Sequence, residues 1–142
     1  MNKWLAPVFS LVPFLYGMLA TYSTIRMPSA AFIMWPLLGA VFLLLWCQLA
    51  KIANFHLCNQ KLTVLYMHIP GMLVFTLLAV NTALKGTFIT GWFLDLLLLY
   101  IMPVFALAKF LAPNPYFLYA ICLFFMVCAA YLGCNSKRRQ VK

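Results

Sequence analysis

Five long apolar stretches occupy most of the chain and constrain its fold more than any other feature. They cover residues 4–25, 30–52, 62–84, 88–111 and 116–133. A helix needs about 20 apolar residues to cross the ~30 Å hydrocarbon core of a bilayer. Short junctions rich in Pro, Asn, Gly and cationic residues separate the stretches. The sequence therefore predicts an all-α integral membrane protein, a bundle of about five transmembrane helices.

The composition excludes a soluble domain. Hydrophobic residues make up 67% of the chain and charged residues 8%, against roughly 45–50% and about 25% in soluble proteins. No polar stretch is long enough to fold as a second domain. We expect residues 1–135 to form a single transmembrane helical domain, followed by a basic tail over residues 136–142.

Prolines punctuate four of the five stretches: Pro7, Pro13, Pro36, Pro70 and Pro103. Proline lacks an N–H group, and its ring crowds the carbonyl of the preceding turn. Several of the spans are therefore predicted to be kinked, with neighbouring helices or hydroxyl groups satisfying the freed carbonyls.

Cationic residues set the expected orientation. Five alternating spans place the two termini on opposite sides of the membrane. One side then carries Lys3, Lys51, Lys61 and Lys109, and the other carries Arg26, Lys85, Lys137, Arg138, Arg139 and Lys142. The side with more Lys and Arg is usually cytoplasmic, which favours a cytoplasmic C-terminus. A four-span version with an interfacial first segment would reverse the N-terminus.

Asp95 is the only acidic residue among 142 and lies inside the fourth stretch. A charged side chain near the membrane centre costs roughly 2.5–3.5 kcal/mol on insertion scales, so it usually faces a partner or a wet cavity. Counting 1.5 Å per residue from the Lys85–Gly86 junction places Asp95 level with Thr76 and about one turn deeper than Asn81. Three interpretations stay open: a hydrogen bond to Thr76, Asn81 or a freed backbone carbonyl, a proton- or cation-responsive site, and an ion pair with an intramembrane Lys or Arg of another subunit.

His68 begins a second group of polar candidates. Pro70 and Gly71 follow it closely, and Lys109 is expected on the same side of the membrane. His68, Tyr66 and Lys109 together form a candidate polar vestibule. The alternative is that His68 satisfies a local carbonyl and that Lys109 extends to the interface.

The tail carries four cations beside a membrane exit: Lys137, Arg138, Arg139 and Lys142. Each contributes about 1 kcal/mol of attraction to anionic lipid, so the tail is predicted to anchor the topology and to contact lipid headgroups. The other cations are scattered at the ends of the apolar stretches, whereas a nucleic-acid surface needs a basic face. We therefore expect no nucleic-acid partner.

An enzymatic function is not expected. Hydrolysis and phosphoryl transfer need convergent carboxylates, a nucleophile with its base, or a metal cage, and this chain has no Glu, one Asp and two His. The Met, Cys and His residues include soft copper ligands, but they lack Met-x-Met or Cys-x-x-Cys spacing. We predict no catalytic residue, no metal and no cofactor.

The stretch from Lys61 to Phe105 resembles uncharacterised small five-span membrane proteins of Gram-positive bacteria. The resemblance rests on His68-Ile69-Pro70 at the start of one helix and on Asp95 early in the next. It implies a multi-pass protein of a bacterial plasma membrane and supplies no activity.

Three function classes remain. The leading hypothesis is a non-enzymatic accessory or regulatory subunit, or a homo-oligomer, that acts through helix contacts with a partner membrane protein or with its own copies. The second is a small transporter or channel that uses Asp95 as its ionisable group. The third is a membrane immunity factor, which would act only in the presence of its toxin.

Overall fold

The computed structural model describes residues 5–27, 31–83, 88–109, 111 and 115–135, with the backbone alone for residues 31, 32, 78, 81–83, 88–93, 115 and 116. Its helices in chain order are α1 (Leu5–Phe9), α2 (Val12–Arg26), α3 (Ala31–Leu57), α4 (Gln60–Ala83), α5 (Phe88–Lys109) and α6 (Pro115–Asn135). The described residues contain no β-strand, which confirms the all-α class. Three stretches of them are long and apolar enough to cross a membrane: Leu5–Arg26, Ile33–Leu57 and Phe117–Asn135.

The first predicted span consists of two helices instead of one. A turn at Ser10 and Leu11 separates α1 from α2, and Leu11 bonds to the Val8 carbonyl in a tighter, three-residue pattern. Pro13 explains the break, because it has no N–H group to offer to the carbonyl four residues earlier. At the same turn, the Ser10 hydroxyl donates a hydrogen bond to the Pro7 carbonyl.

Three further prolines lie inside helices that continue past them. Pro36 lies in α3, Pro70 in α4 and Pro103 in α5. Each removes one backbone hydrogen bond without ending its helix. Bending of these helices stays a prediction.

The third helix runs five residues beyond its predicted end at residue 52 and stops at Leu57. Cys58 then adopts a left-handed conformation with a φ of 53°. The Asn59 side chain accepts a hydrogen bond from the Leu62 amide at 3.2 Å, which caps the first turn of α4. The link between α3 and α4 is therefore only two residues long, and Trp46 lies near the middle of α3.

Helices α3, α4, α5 and α6 contribute the largest side chains of the core. Those fully buried include Phe42, Trp46, Met67, Leu97, Tyr100, Ile101 and Met126. Helix α5 contacts α2, α3, α4 and α6, and most of its described side chains are buried or half-buried. Apolar side chains also cover much of the outside, as expected for a bundle whose solvent is lipid.

Two glycines allow helices to approach with their backbones in contact. Gly17 on α2 lies against the Leu99 backbone of α5, and Gly133 on α6 lies against the Cys47 backbone of α3. Small residues at such crossings are typical of membrane bundles. Gly133 therefore marks a face of α6 where another helix approaches closely.

Candidate functional site

Asp95 lies in the first half of α5, and its side chain is exposed. All residues of α5 from Leu94 to Ala108, except Asp95 itself, are buried or half-buried. No hydrogen bond or ion pair joins the Asp95 carboxylate to another of the described residues. The chain's sole acidic group is thus presented at the surface of the bundle.

The two expected partners of Asp95 are not brought to it within the described side chains. Thr76 is exposed on α4 and donates its hydroxyl hydrogen to the Met72 carbonyl of its own helix at 2.8 Å. Asn81 lies in α4, but its side chain is outside the described residues. A pairing of Asp95 with either residue stays a prediction.

Thr76 belongs to an open groove along one face of α4, which is apolar apart from this hydroxyl. The lining residues are Leu65, Ile69, Met72, Leu73, Thr76 and Leu77. All six come from α4 itself. The groove therefore lies between rows of side chains on a single helix, a surface of the kind that another helix or a lipid chain covers.

His68 lies in the interior and is only 1% exposed. Its Nδ1 atom is 2.8 Å from the Val64 carbonyl oxygen. Because a carbonyl only accepts, this geometry requires a proton on Nδ1. Nε2 makes no hydrogen bond of normal geometry with a described atom, although the Met126 backbone also interacts with this ring.

Trp46 meets His68 edge to face inside the bundle. The two ring centroids are 5.7 Å apart with an interplanar angle of 87°. The Trp46 Nε1–H donor also lacks a hydrogen-bond partner among the described residues. The core therefore holds two neighbouring rings, each with a nitrogen that lacks a hydrogen bond of normal geometry, a situation that buried polar groups normally avoid.

The other vestibule candidates do not share this interior position. Tyr66 is 36% exposed on α4, and Lys109 is exposed at the end of α5. His68 is enclosed by the bundle, so the structure does not bring these three side chains together on one surface. The alternative given for His68, a bond to a local carbonyl, matches its contact with Val64.

Several polar contacts that the sequence did not indicate join α3, α4 and α6. The Asn54 amide donates to the Cys134 carbonyl at 3.2 Å, and the Thr63 hydroxyl lies 3.3 Å from the Asn54 side-chain oxygen. The Gln60 amide approaches the Tyr131 carbonyl at 3.5 Å. The signal was present, since Asn54 and Thr63 flank the same short turn, but Asn54 suggested a junction and not an interhelical contact.

The lipid-contact candidates Lys137, Arg138, Arg139 and Lys142 lie outside the described residues. Within the described part of the chain, no three His, Cys, Asp or Glu side chains are grouped so as to hold a metal ion. The five cysteines are all free thiols.

These observations define a class: a bundle of apolar helices that includes three stretches suited to span a membrane. No protein-family model, curated protein or solved structure matches the chain. The assignment of a function therefore rests on the arrangement of its own residues.

Proposed function

We propose that this chain is a non-enzymatic, multi-pass membrane protein that acts through helix contacts, as an accessory subunit of a partner membrane protein or as a homo-oligomer. All five apolar stretches are embedded in the bilayer in this proposal. The exposed carboxylate of Asp95, with no partner among the described residues, is the observation that supports it.

The energetic argument concerns the surroundings of Asp95. A carboxylate facing hydrocarbon costs roughly 2.5–3.5 kcal/mol on insertion scales, and a hydrogen-bond donor or a cation from another helix recovers part of that cost. Since the other described side chains of α5 from Leu94 to Ala108 are buried or half-buried, Asp95 marks the point at which α5 reaches a neighbouring molecule.

The second half of α4 supplies the apolar part of the same contact. Beyond Gly71, the described side chains of α4 are exposed except for Val74, with Met72 and Leu73 each more than half exposed. This part of α4 is therefore available to pack against a helix of another molecule.

The test is association in lipid vesicles. Copies carrying a donor or an acceptor fluorophore report self-association by energy transfer, and chemical cross-linking in native membranes reports a different partner. We expect Asp95→Leu to weaken the contact at least tenfold, equivalent to about 1.4 kcal/mol, whereas Asp95→Asn retains part of it through hydrogen bonding. Leu44→Ala, at a 70% exposed position on α3, is the control and should leave association unchanged.

Two results would contradict the proposal. One is a wild-type chain that is monomeric in vesicles and forms no cross-linked product in native membranes. The other is association that is equally strong in wild type, Asp95→Leu and Asp95→Asn.

A second candidate function rests on the same carboxylate. In a small proton or cation transporter, Asp95 would be the ionisable group, and Asp95→Asn would abolish flux without changing the fold. Flux into liposomes from wild type and Asp95→Asn, with particle mass measured on the same samples, distinguishes the two functions. The helix-contact function is favoured because Asp95 lies on the outer surface and not in an enclosed polar cavity of the described residues.

Localisation follows from the same reasoning. We place the protein in a bacterial plasma membrane, because of the resemblance carried by His68-Ile69-Pro70 and Asp95, with its basic tail in contact with anionic lipid. The C-terminus is cytoplasmic in this proposal.

A further inference from the structure

One end of the bundle is defined by the turn at Cys58 and Asn59, and it is called the turn end below. The last residues of α6 lie at this end. Asn54, just before the turn, donates to the Cys134 carbonyl, and Gln60, just after it, approaches the Tyr131 carbonyl. Helix α1 also contacts both α3 and α4, so the chain enters the bundle near the same end.

The opposite end, called the link end, is where α2 connects to α3. The Trp35 indole donates to the Thr24 hydroxyl at 2.6 Å. The second half of α5 reaches this end, because the Trp35 and Phe105 rings pack 6.5 Å apart between centroids. A Cβ atom at Gly39 would lie 2.7 Å from the Pro103 carbonyl oxygen.

These contacts give each long helix a direction. Helix α2 runs from the turn end to the link end, and α3 runs back. Helix α6 has 21 residues, or about 31 Å at 1.5 Å per residue, and it finishes at the turn end. It therefore begins near the link end, close to the end of α5. Between the Cys58–Asn59 turn and the start of α6, α4 and α5 together carry the chain across the bundle once.

The two helices share this crossing at one close contact. A Cβ atom at Gly71 of α4 would lie 2.3 Å from the Tyr100 ring of α5. The Tyr100 hydroxyl also donates to the Met67 carbonyl at 3.3 Å. Residues of α4 beyond Gly71 are largely exposed, and residues of α5 beyond Tyr100 are largely buried. The packed first half of α4 therefore leads to the packed second half of α5.

We propose that both ends of the described chain lie on the same, cytoplasmic side of the membrane, with α4 and α5 together making a single passage. Alternating passage of five helices, as expected from the sequence, would separate the ends of α3 and α6 by the full bilayer. The hydrogen bond from Asn54 to Cys134 is incompatible with that separation.

The distribution of cations supports the orientation independently. Seven of the ten Lys and Arg residues lie near the turn end or adjoin it in the sequence. Lys51 and Lys61 lie in α3 and α4, Lys3 precedes α1, and Lys137, Arg138, Arg139 and Lys142 follow α6. Arg26 and Lys109 belong to the link end, and Lys85 lies between α4 and α5. Seven cations on one side against two on the other is a stronger positive-inside bias than the six against four that five alternating passages would give. This bias makes the turn end the cytoplasmic one.

The experiment uses a membrane-impermeant maleimide and the chain's own thiol. Cys58 is exposed at the turn, so one variant retains it while the other four cysteines are replaced by Ala. Two further variants lack all native cysteines and carry either Ser136→Cys after α6 or Ser29→Cys between α2 and α3. Each is labelled in sealed right-side-out and inverted vesicles, and modification is read by mass spectrometry.

We expect Cys58 and Ser136→Cys to react only in inverted vesicles, and Ser29→Cys only in right-side-out vesicles. Labelling of Ser136→Cys from the face opposite to Cys58 would overturn the single shared passage. Labelling of both from the outer face would overturn the cytoplasmic assignment. Wild-type chains fused at the C-terminus to a reporter that is active only in the cytoplasm provide a second reading that needs no cysteine replacement.

Discussion

Gly133 of α6 lies in backbone contact with Cys47 of α3, so that a Cβ atom at position 133 would be 2.1 Å from the Cys47 carbonyl oxygen. No side chain fits at that distance without moving one of the two helices. The same contact brings the last turn of α6 close to the end of α3, where the Asn54 side-chain amide donates a hydrogen bond to the Cys134 carbonyl. The arrangement of the turn end therefore depends on a residue with no side chain.

Gly133→Ala should separate α3 from α6 and destabilise the bundle. Overpacking of a close contact costs typically about 1–3 kcal/mol, and we expect a loss of free energy of unfolding in that range. Unfolding in mixed micelles with increasing SDS, followed by circular dichroism, provides the measurement. Leu132→Ala, at a neighbouring position that is 64% exposed, is the control and should change stability little. Equal stability of Gly133→Ala and wild type would show that the helices do not pack this closely.

Asn54 and Thr63 should be energetically coupled. Their side chains lie 3.3 Å apart between Thr63 Oγ1 and Asn54 Oδ1, and the same hydroxyl lies 2.9 Å from the Asn59 carbonyl. Because the hydroxyl has one proton to share between these acceptors, the coupling is modest. A double-mutant cycle of Asn54→Leu and Thr63→Val, measured on the free energy of unfolding, should give a coupling free energy of about 0.6 kcal/mol. This is the average for interhelical hydrogen bonds in membranes.

The control cycle for this pair combines Asn54→Leu with Thr21→Val. The Thr21 hydroxyl bonds to the Gly17 carbonyl within its own helix, so these two changes should be additive. Coupling of similar size in both cycles would mean that the Asn54–Thr63 contact contributes nothing specific.

Cys58→Gly should not destabilise the protein and is expected to stabilise it. The φ of 53° at Cys58 costs an L-residue roughly 1–2 kcal/mol. Glycine avoids this cost but loses more backbone entropy on folding, by roughly 0.5–1 kcal/mol. The net gain in free energy of unfolding is up to about 1.5 kcal/mol, measured in the same SDS titration. Cys58→Ala keeps the Cβ atom and removes the thiol, so it serves as the control, and a glycine variant less stable than the alanine variant would contradict the prediction.

The sequence located Asp95 as the candidate for a functional contact, because an acidic residue in an apolar stretch is conspicuous whatever the fold. Its surroundings were beyond sequence reasoning. Thr76 was chosen by counting residues along two presumed antiparallel helices, whereas its hydroxyl is engaged by Met72 of its own helix. The contact between Trp46 and His68 joins two helices through side-chain packing, and no spacing in the sequence indicates it.

The sequence alone established that the chain is helical and apolar and roughly where its helices begin and end. It also showed that the one acidic residue, Asp95, lies inside an apolar stretch. Only the tertiary structure decided which helices are neighbours and which helix ends lie together. The physical reason is that lipid solvates every apolar helix face about equally well, so the hydrophobic pattern does not select partners. Close packing at Gly17, Gly71 and Gly133, together with the Asn54–Cys134 hydrogen bond, makes that selection.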